Sequence, residues 1–584
     1  MQKKKQGFIM GAFLLIAAMI VVKIIGALFK IPLTALLGGE GMGYFSTAYS
    51  LFNPIAAVSI TGLPLAVARV VSENKARGNY KNIKKIFKIS FWFFLVVGVL
   101  GTGLIFAFSR VFTDMVENPA ARLSVMAIAP AMLFSCLMSS FRGYYEGLSD
   151  MKPTAFSQVI EAVFKLLCGY SFSAFSLNYG ISQFERGGKV YGVLAETLAE
   201  ARMISLPVAA AGAILGVSIS TVFGFIYLVL RHKIKGDGIE EEVILLSLPE
   251  SKTSKLLTSL IKIAVPIAIG SLVTNLTTLI DVSSLMQRIA RAIETAPDVL
   301  LDIYQGLIPE TVLISGNLPN YLYGIYSSMA ITIYNLVPAI TSSIGISALP
   351  MITAAATSGQ REEISEKIAS VLRITALISI PAGLGLSVLA NPILKLLFSS
   401  RPMETEIASP LLTLMGITVI FTALTIPLYN VLQGLGKPYI PVVLMVLGGG
   451  LKLIVNFMLV SIPRINILGA PIGSLCCYGF IFLASLIVLR RYLKAEIDLF
   501  KTFIKPLFSA IICALSALVS YNLLKLGLGS GRLELAFSLL ISIAIAVLIY
   551  AILLIITKTI DKNDILLLPF GKNILKTLEK WKLV

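Results

Sequence analysis

The sequence predicts an all-α integral membrane protein of about fourteen transmembrane helices. They form two parallel-repeat six-helix lobes followed by two further helices. Three observations carry that prediction. The 584 residues are 57% hydrophobic and only 14% charged, whereas soluble domains carry roughly 25% charged residues. Apolar runs of the roughly 20 residues that a bilayer crossing needs follow one another almost end to end. Two separate stretches also recur in the second half of the chain at a common spacing.

The apolar cores begin near Gly7, Gly43, Ile89, Ala121, Pro153 and Met203 in the first half. They continue near Leu256, Tyr321, Lys367, Ile407, Pro438 and Ile467, and end with two near Phe503 and Leu533. Unbroken runs such as "FWFFLVVGVLGTGLIFAF" exclude a β-barrel, whose strands alternate apolar and polar over about 10 residues. The first core, in "MQKKKQGFIMGAFLLIAAMIVVKIIGALFK", has a basic start but is long enough to span, unlike a cleavable signal.

The net charge of +18 is a topology signal rather than a nucleic-acid footprint. Lysine and arginine gather in alternate connections, "KKK", "ARVVSENKARGNYKNIKKIFK", "RHKIK", "RRYLK" and "KNILKTLEKWK", and "LGGEGMG" and "DMVENPA" fall between them. Basic loops face the cytoplasm, so both termini are expected there, which requires an even number of spans. In this reading the segment from Arg142 to Lys152 is a cytoplasmic turn. Its charges sit in water, Gly147 takes a positive φ, and Pro153 starts the next helix. The lone His232 is a solvated residue at a span end. Five cysteines, all within apolar runs, read as small hydrophobes.

The repeat sets the domain organisation. Glu146-Gly147-Leu148 aligns with Gln433-Gly434-Leu435, Lys152-Pro153 with Lys437-Pro438, and Lys165-Leu166 with Lys452-Leu453. "LPLAVARVVSENKARGNYKNIKKI" from Leu63 aligns with "LPMITAAATSGQREEISEKIASVL" from Leu349 at nearly the same offset, close to 286 residues. Six helices separate the copies, so both halves point the same way, an arrangement in which transporters hold substrate between repeats. The expected divisions are an N-lobe at 1–233, a cytoplasmic linker at 234–255, a C-lobe at 256–494, and residues 495–584 as two extra helices with a basic tail.

Charges within spans cost roughly 2.5–3.5 kcal/mol each on insertion scales and so mark candidate sites. Lys23 lies about 15 residues into the first span, roughly 20 Å from its start; Lys30 is about two turns further out. Both either line a cavity or snorkel to headgroups. Glu161 and Lys165, spaced i,i+4, form either a local ion pair or part of a cavity lining. Lys452 occupies the matching repeat position without an acidic partner four residues before it. Asp281 closes a polar stripe with Thr274, Asn275 and Thr278. Asn53-Pro54 and Asn335 with Pro338 mark spans that either carry tolerated kinks or bend along a path. No phosphate loop, HExxH, clustered carboxylates or histidine base is present in the sequence, so no catalytic residue, metal or cofactor is expected.

The "RGYYEGLSDMKPTAFSQVIE" turn, the "GLPLAVARVVSE" end of the second span and the two-lobe plan resemble one family. It is the stage V sporulation protein B-like polysaccharide-biosynthesis group, related to MurJ-type lipid II flippases within the MOP superfamily that also holds the MATE exporters. The resemblance implies a MOP-type fold and translocation of an undecaprenyl-diphosphate-linked sugar, with lipid II the leading substrate. It implies a monomeric transporter in the bacterial plasma membrane, a cation-lined cavity, and a lipid-tail groove formed by the last two helices. Lys23, in "KIIG", matches the basic-x-x-Gly pattern of MurJ-type first helices. Arginines that Gram-negative MurJ-type proteins carry in helices 2 and 8 have no counterpart here, and Lys165 and Lys452 would compensate. The tail "GKNILKTLEKWKLV" would rest on anionic lipid. A drug/cation antiporter of the same architecture is the alternative, and a membrane enzyme acting on lipid-linked sugars is a third reading. The coupling ion is not readable from the sequence.

Overall fold

The computed structural model describes residues 2–557 and 559, apart from 246, 248, 343, 346, 347, 349–351, 353–360, 494–497 and 530. The proposed tail segment lies outside the described residues. The chain is almost wholly helical, and twelve helices among the described residues are long and apolar enough to cross a membrane. The expected fourteen are not all present as separate long helices, for two local reasons.

The first reason is that α1 (Gln2–Ala57) contains two arms that meet at Gly38 (φ 65°, ψ −175°). The Phe29 and Phe45 rings lie 6.0 Å apart, whereas residues sixteen apart on a straight helix would be separated by about 24 Å. The arms therefore fold back on each other, and one element accommodates two expected spans. Sequence reasoning takes "LGGEGMG" as a loop, but only Gly38 leaves the helix; Gly39 to Gly43 are helical and buried. The second reason is the expected span near Tyr321. It is broken into a helix Leu318–Ile325, a π-helical turn Tyr326–Ala330 and a helix Ile331–Tyr334.

The chain forms two compact units. One comprises Met1–Arg291 with Ile308–Ser328, the other Ala292–Leu307 with Met329–Val584. In the first unit, α1 is followed by α2 (Leu63–Ala76), α3 (Tyr80–Met115), α4 (Arg122–Gly147), α5 (Lys152–Gly187) and α6 (Leu198–Lys235). A two-stranded hairpin, Lys189–Val190 with Val193–Leu194, joins α5 to α6.

Small residues let these helices approach. Hydrocarbon provides no hydrophobic drive between helices, so close van der Waals packing matters more in a bilayer than in water. Gly143 and Gly147 of α4 seat α2: a Cβ at Gly143 would lie 2.5 Å from the Pro64 carbonyl oxygen, and one at Gly147 2.6 Å from Val71 Cβ. Gly216 of α6 meets Gly169 of α5 backbone to backbone, and Gly39 of α1 meets Gly324 in the same way. The outward face of α3, by contrast, presents Trp92, Val96, Leu100, Leu104 and Phe108 to the surroundings, as a lipid-facing helix should.

The α4–α5 turn corrects two expectations. Gly147 is helical, and its role is close packing. The residue with positive φ is Ser149, at 69°. The turn is closed by Ser149 N–H donating to Glu146 C=O and Asp150 N–H to Tyr145 C=O. Pro153 does lie in the first turn of α5. Nor does Arg142 sit in water: it is buried, and its guanidinium reaches Glu161 at 3.0 Å. His232 is likewise half-buried, with its ring centroid 4.9 Å from that of Phe87 and Nδ1 2.8 Å from the Tyr145 hydroxyl.

The second unit repeats this turn. A helix Pro402–Gly434 ends as α4 does, and a helix Tyr439–Leu459 follows. Gly436 takes φ 75°, with Gly436 N–H donating to Gln433 C=O and Lys437 N–H to Leu432 C=O. These bonds match those of the first turn one for one, 287 positions on. The core of this unit packs Leu372 and Ala376 of the helix Arg361–Val388 with Leu428 and Leu432. The helices Lys505–Leu528 and Arg532–Ile556 join the same cluster through Ala517 and Tyr550, whose hydroxyl donates to the Leu377 carbonyl at 3.0 Å.

Candidate functional site

The first unit holds a basic cluster built by α1 and α5. Lys23 and Lys30 are seven residues apart on the first arm of α1, which places them on one face about two turns apart. The hairpin at Gly38 brings the second arm alongside, so Phe45, Tyr49 and Phe52 form a run of rings beside Phe29, with successive centroids 4.9–6.3 Å apart. The ammonium of Lys165, from α5, lies 5.3 Å from the Phe29 ring centroid and 4.9 Å from that of Tyr49. Gly169, one turn further along α5, permits this approach, because a side chain there would strike Phe29.

Lys30 donates to the Ser327 carbonyl at 3.4 Å, and the Ser327 hydroxyl donates to that of Ser46 at 2.8 Å. The Lys165 charge acts on both Lys23 and Lys30, and that of Lys23 acts on Lys30. None of the three lysines forms an ion pair among the described residues. Lys23 is exposed, while Lys30 and Lys165 are half-buried. Cation–π contacts of this kind contribute about 0.5–2 kcal/mol and orient Lys165 without neutralising it. The cluster therefore keeps three positive charges, and an anion is its natural complement.

The other sequence candidates divide. Glu161 does not pair with Lys165. Its carboxylate is held by Arg142, whose Nε also donates to Ser157 Oγ at 3.0 Å. Asn53, half-buried, lies one turn beyond Tyr49 on α1. Asp281 is buried in the helix Thr253–Thr295, within electrostatic reach of Tyr323. Thr278 and Asn275 of its stripe bond back to the backbone of their own helix; the Thr274 side chain lies outside the description. Asn335 and Lys452 belong to the second unit, Asn335 exposed at the end of Ile331–Tyr334 and Lys452 buried within Tyr439–Leu459.

Sequence reasoning missed Glu40. It is buried at the start of the second arm of α1, where its carboxylate accepts from Tyr44 at 3.0 Å and Asn317 at 3.1 Å. Asn118 and Asn320 continue this network, 2.8 Å apart, with Asn320 donating to the Glu40 carbonyl. The network ties Leu318–Ile325 to α1, which suits a structural role. The signal that could have revealed it is the one acidic residue in "LGGEGMG", set among glycines that allow close packing. Among the described residues no group of three or more metal-ligating side chains is gathered.

Comparison with known proteins agrees with this architecture. Residues 8–183 match the family of polysaccharide biosynthesis proteins, and residues 327–458 match the MatE family. The chain is similar to the lipid II flippase MurJ of Bacillus subtilis, 23% identical over 494 residues that cover 81% of this chain and 82% of that protein. It is also similar to the stage V sporulation protein B of the same organism, 23% identical over 566 residues, covering 97% of this chain and 98% of the relative. Among solved structures, the inward closed conformation of the lipid II flippase MurJ superposes with a TM-score of 0.61 at 14% identity, covering 93% of this chain and 98% of that one. An inward-facing multidrug resistance transporter of the MATE family superposes with a TM-score of 0.58 at 13% identity, covering 83% and 99%. The fold is that of the MOP superfamily of transporters.

Proposed function

From the MOP-type fold as premise, we propose that this chain is a flippase for polyprenyl-diphosphate-linked sugars, with lipid II its leading substrate. The single observation that carries this is the unneutralised trio Lys23, Lys30 and Lys165 beside an aromatic run. A diphosphate headgroup that leaves water needs cationic donors to replace its hydration. Lys23 and Lys165 are spaced to share it, and Lys30 adds a third charge. Phe45, Tyr49 and Phe52 offer flat faces of the kind on which sugar rings pack, with the Tyr49 hydroxyl as a polar handle. In the second unit Lys452 occupies the position equivalent to Lys165 and would provide a further cation.

The cycle is one of alternating access, the mode favoured by repeated transporter halves, in a bacterial plasma membrane with both termini cytoplasmic. The last two helices would guide the lipid tail. The MatE match keeps a drug/cation antiporter as the competing reading. The charge sign opposes it: the carboxylates that a cation would need are committed, Glu161 to Arg142 and Glu40 to Tyr44 and Asn317.

The test is reconstitution into vesicles with labelled lipid II, scoring access of an outer-leaflet probe. The wild type should flip the lipid, and Lys23→Gln, Lys30→Gln and Lys165→Gln should each slow it by at least tenfold while folding is retained. Drug efflux without flipping, or full activity in the triple variant, would defeat the proposal.

A further inference from the structure

The start of α3 carries a second cationic feature that the transport reading does not use. Lys81, Lys84, Lys85 and Lys88 follow an i, i+3, i+4, i+7 pattern, which puts all four on one helical face. With Trp92, Phe93, Val96, Glu250, Thr253 and Leu257 they line a groove of about 790 Å³.

The four lysines are not equivalent. Lys85 is paired with Glu250 at 3.0 Å and donates to the Ser251 carbonyl at 3.1 Å. Lys81 donates to the carbonyls of Leu245 and Ser247. Asn82 bonds Ser251 in both directions. These contacts fasten residues 245–251 over the helix start and form one wall of the groove. Lys84 and Lys88 are exposed and have no hydrogen bond or ion pair among the described residues. Their Cβ atoms, four residues apart, are separated by about 6 Å, a span one phosphodiester can bridge.

The groove lies at a change of character. α3 is charged up to Lys88 and apolar from Ile89 onward, so the lysines sit at headgroup level. Trp92, 57% exposed, and Val96, 56% exposed, lie one and two turns into the hydrocarbon on the same face. Tryptophan favours that boundary. Two uncommitted ammonium groups above an exposed apolar stripe complement a molecule with an anionic head and an acyl chain.

We infer that this groove is a binding site for an anionic glycerophospholipid of the cytoplasmic leaflet. Its phosphate is held by Lys84 and Lys88, and an acyl chain lies along Trp92, Phe93 and Val96. The occupant clamps the fastened segment 245–251 against α3.

The chain has two tryptophans, Trp92 and Trp581, so Trp581→Phe leaves Trp92 as the sole reporter. The full-length variant would be reconstituted in vesicles of mixed phosphatidylglycerol and phosphatidylcholine, with one or the other brominated on its acyl chains. Brominated phosphatidylglycerol should quench Trp92 with a preference on the order of 10–30-fold, since each lysine near an anionic surface contributes about tenfold or slightly less. Lys84→Gln with Lys88→Gln should abolish the preference, and Lys84→Arg with Lys88→Arg should retain it. Equal quenching by the two lipids would overturn the inference. So would a preference that survives the glutamine pair, or one that millimolar inorganic phosphate removes, which would mark a site for free anions.

Discussion

The Arg142–Glu161 pair decides whether Glu161 belongs to the transport site, and its removal has a calculable consequence. Arg142 is buried at 4% exposure, while a quarter of the Glu161 side chain remains accessible. Removing one partner of a buried pair costs about 3–5 kcal/mol, because the other charge is left uncompensated. Partial exposure of Glu161 moves the expectation for Arg142→Met to the lower end, about 3 kcal/mol. Loss of the 3.0 Å bond from Arg142 to Ser157 adds little, because Ser157 Oγ still donates to the Thr154 carbonyl at 2.9 Å. Replacing both partners with apolar residues removes the stranded charge, so Arg142→Met with Glu161→Leu should return to within about 1 kcal/mol of the wild type. Unfolding in detergent micelles would measure the cycle, and lipid flipping would be scored on the same preparations. A structural pair predicts a double variant that is both stable and active. The reasoning fails if Arg142→Met alone is as stable as the wild type. It also fails if the double variant, though stable, has lost transport.

Two other predictions rest on backbone geometry. Val at Gly143 or Leu at Gly147 would push into Pro64 and Val71, forcing α2 off α4; each should lower folded yield or stability by about 2–3 kcal/mol, measured by thermal unfolding. The repeated turn predicts opposite signs at equivalent positions. Ser149→Gly relieves a left-handed residue and should stabilise by about 1 kcal/mol, whereas Gly436→Ala should destabilise by a similar amount; paired unfolding curves that move in the same direction would contradict the geometry.

How much of this was legible in advance depended on the kind of signal. Membrane spans are written in long apolar runs, and each long helix in the structure overlaps one. The repeat was visible because the same turn chemistry serves both halves: a Leu and a Lys-Pro or a Lys around a left-handed residue, Ser149 in one copy and Gly436 in the other. Which of the neighbouring residues turns left was not legible, because Gly147 has the freedom to do so and spends it on letting α2 approach. The same competition hid the hairpin in α1, where five glycines and alanines could have formed a loop and only Gly38 was needed. Partners of charged groups were the least legible. An i,i+4 spacing favoured Glu161 with Lys165, but Arg142, nineteen residues away in sequence, reaches Glu161 once Gly147 ends α4 against α2 and α5 turns back beside it. That one tertiary pairing releases Lys165 to lie over Phe29 and Tyr49. A basic cluster without a carboxylate partner therefore follows from the glycine packing of α4, and a substitution that loosened α4 from α2 should weaken anion recognition at Lys165 through Glu161.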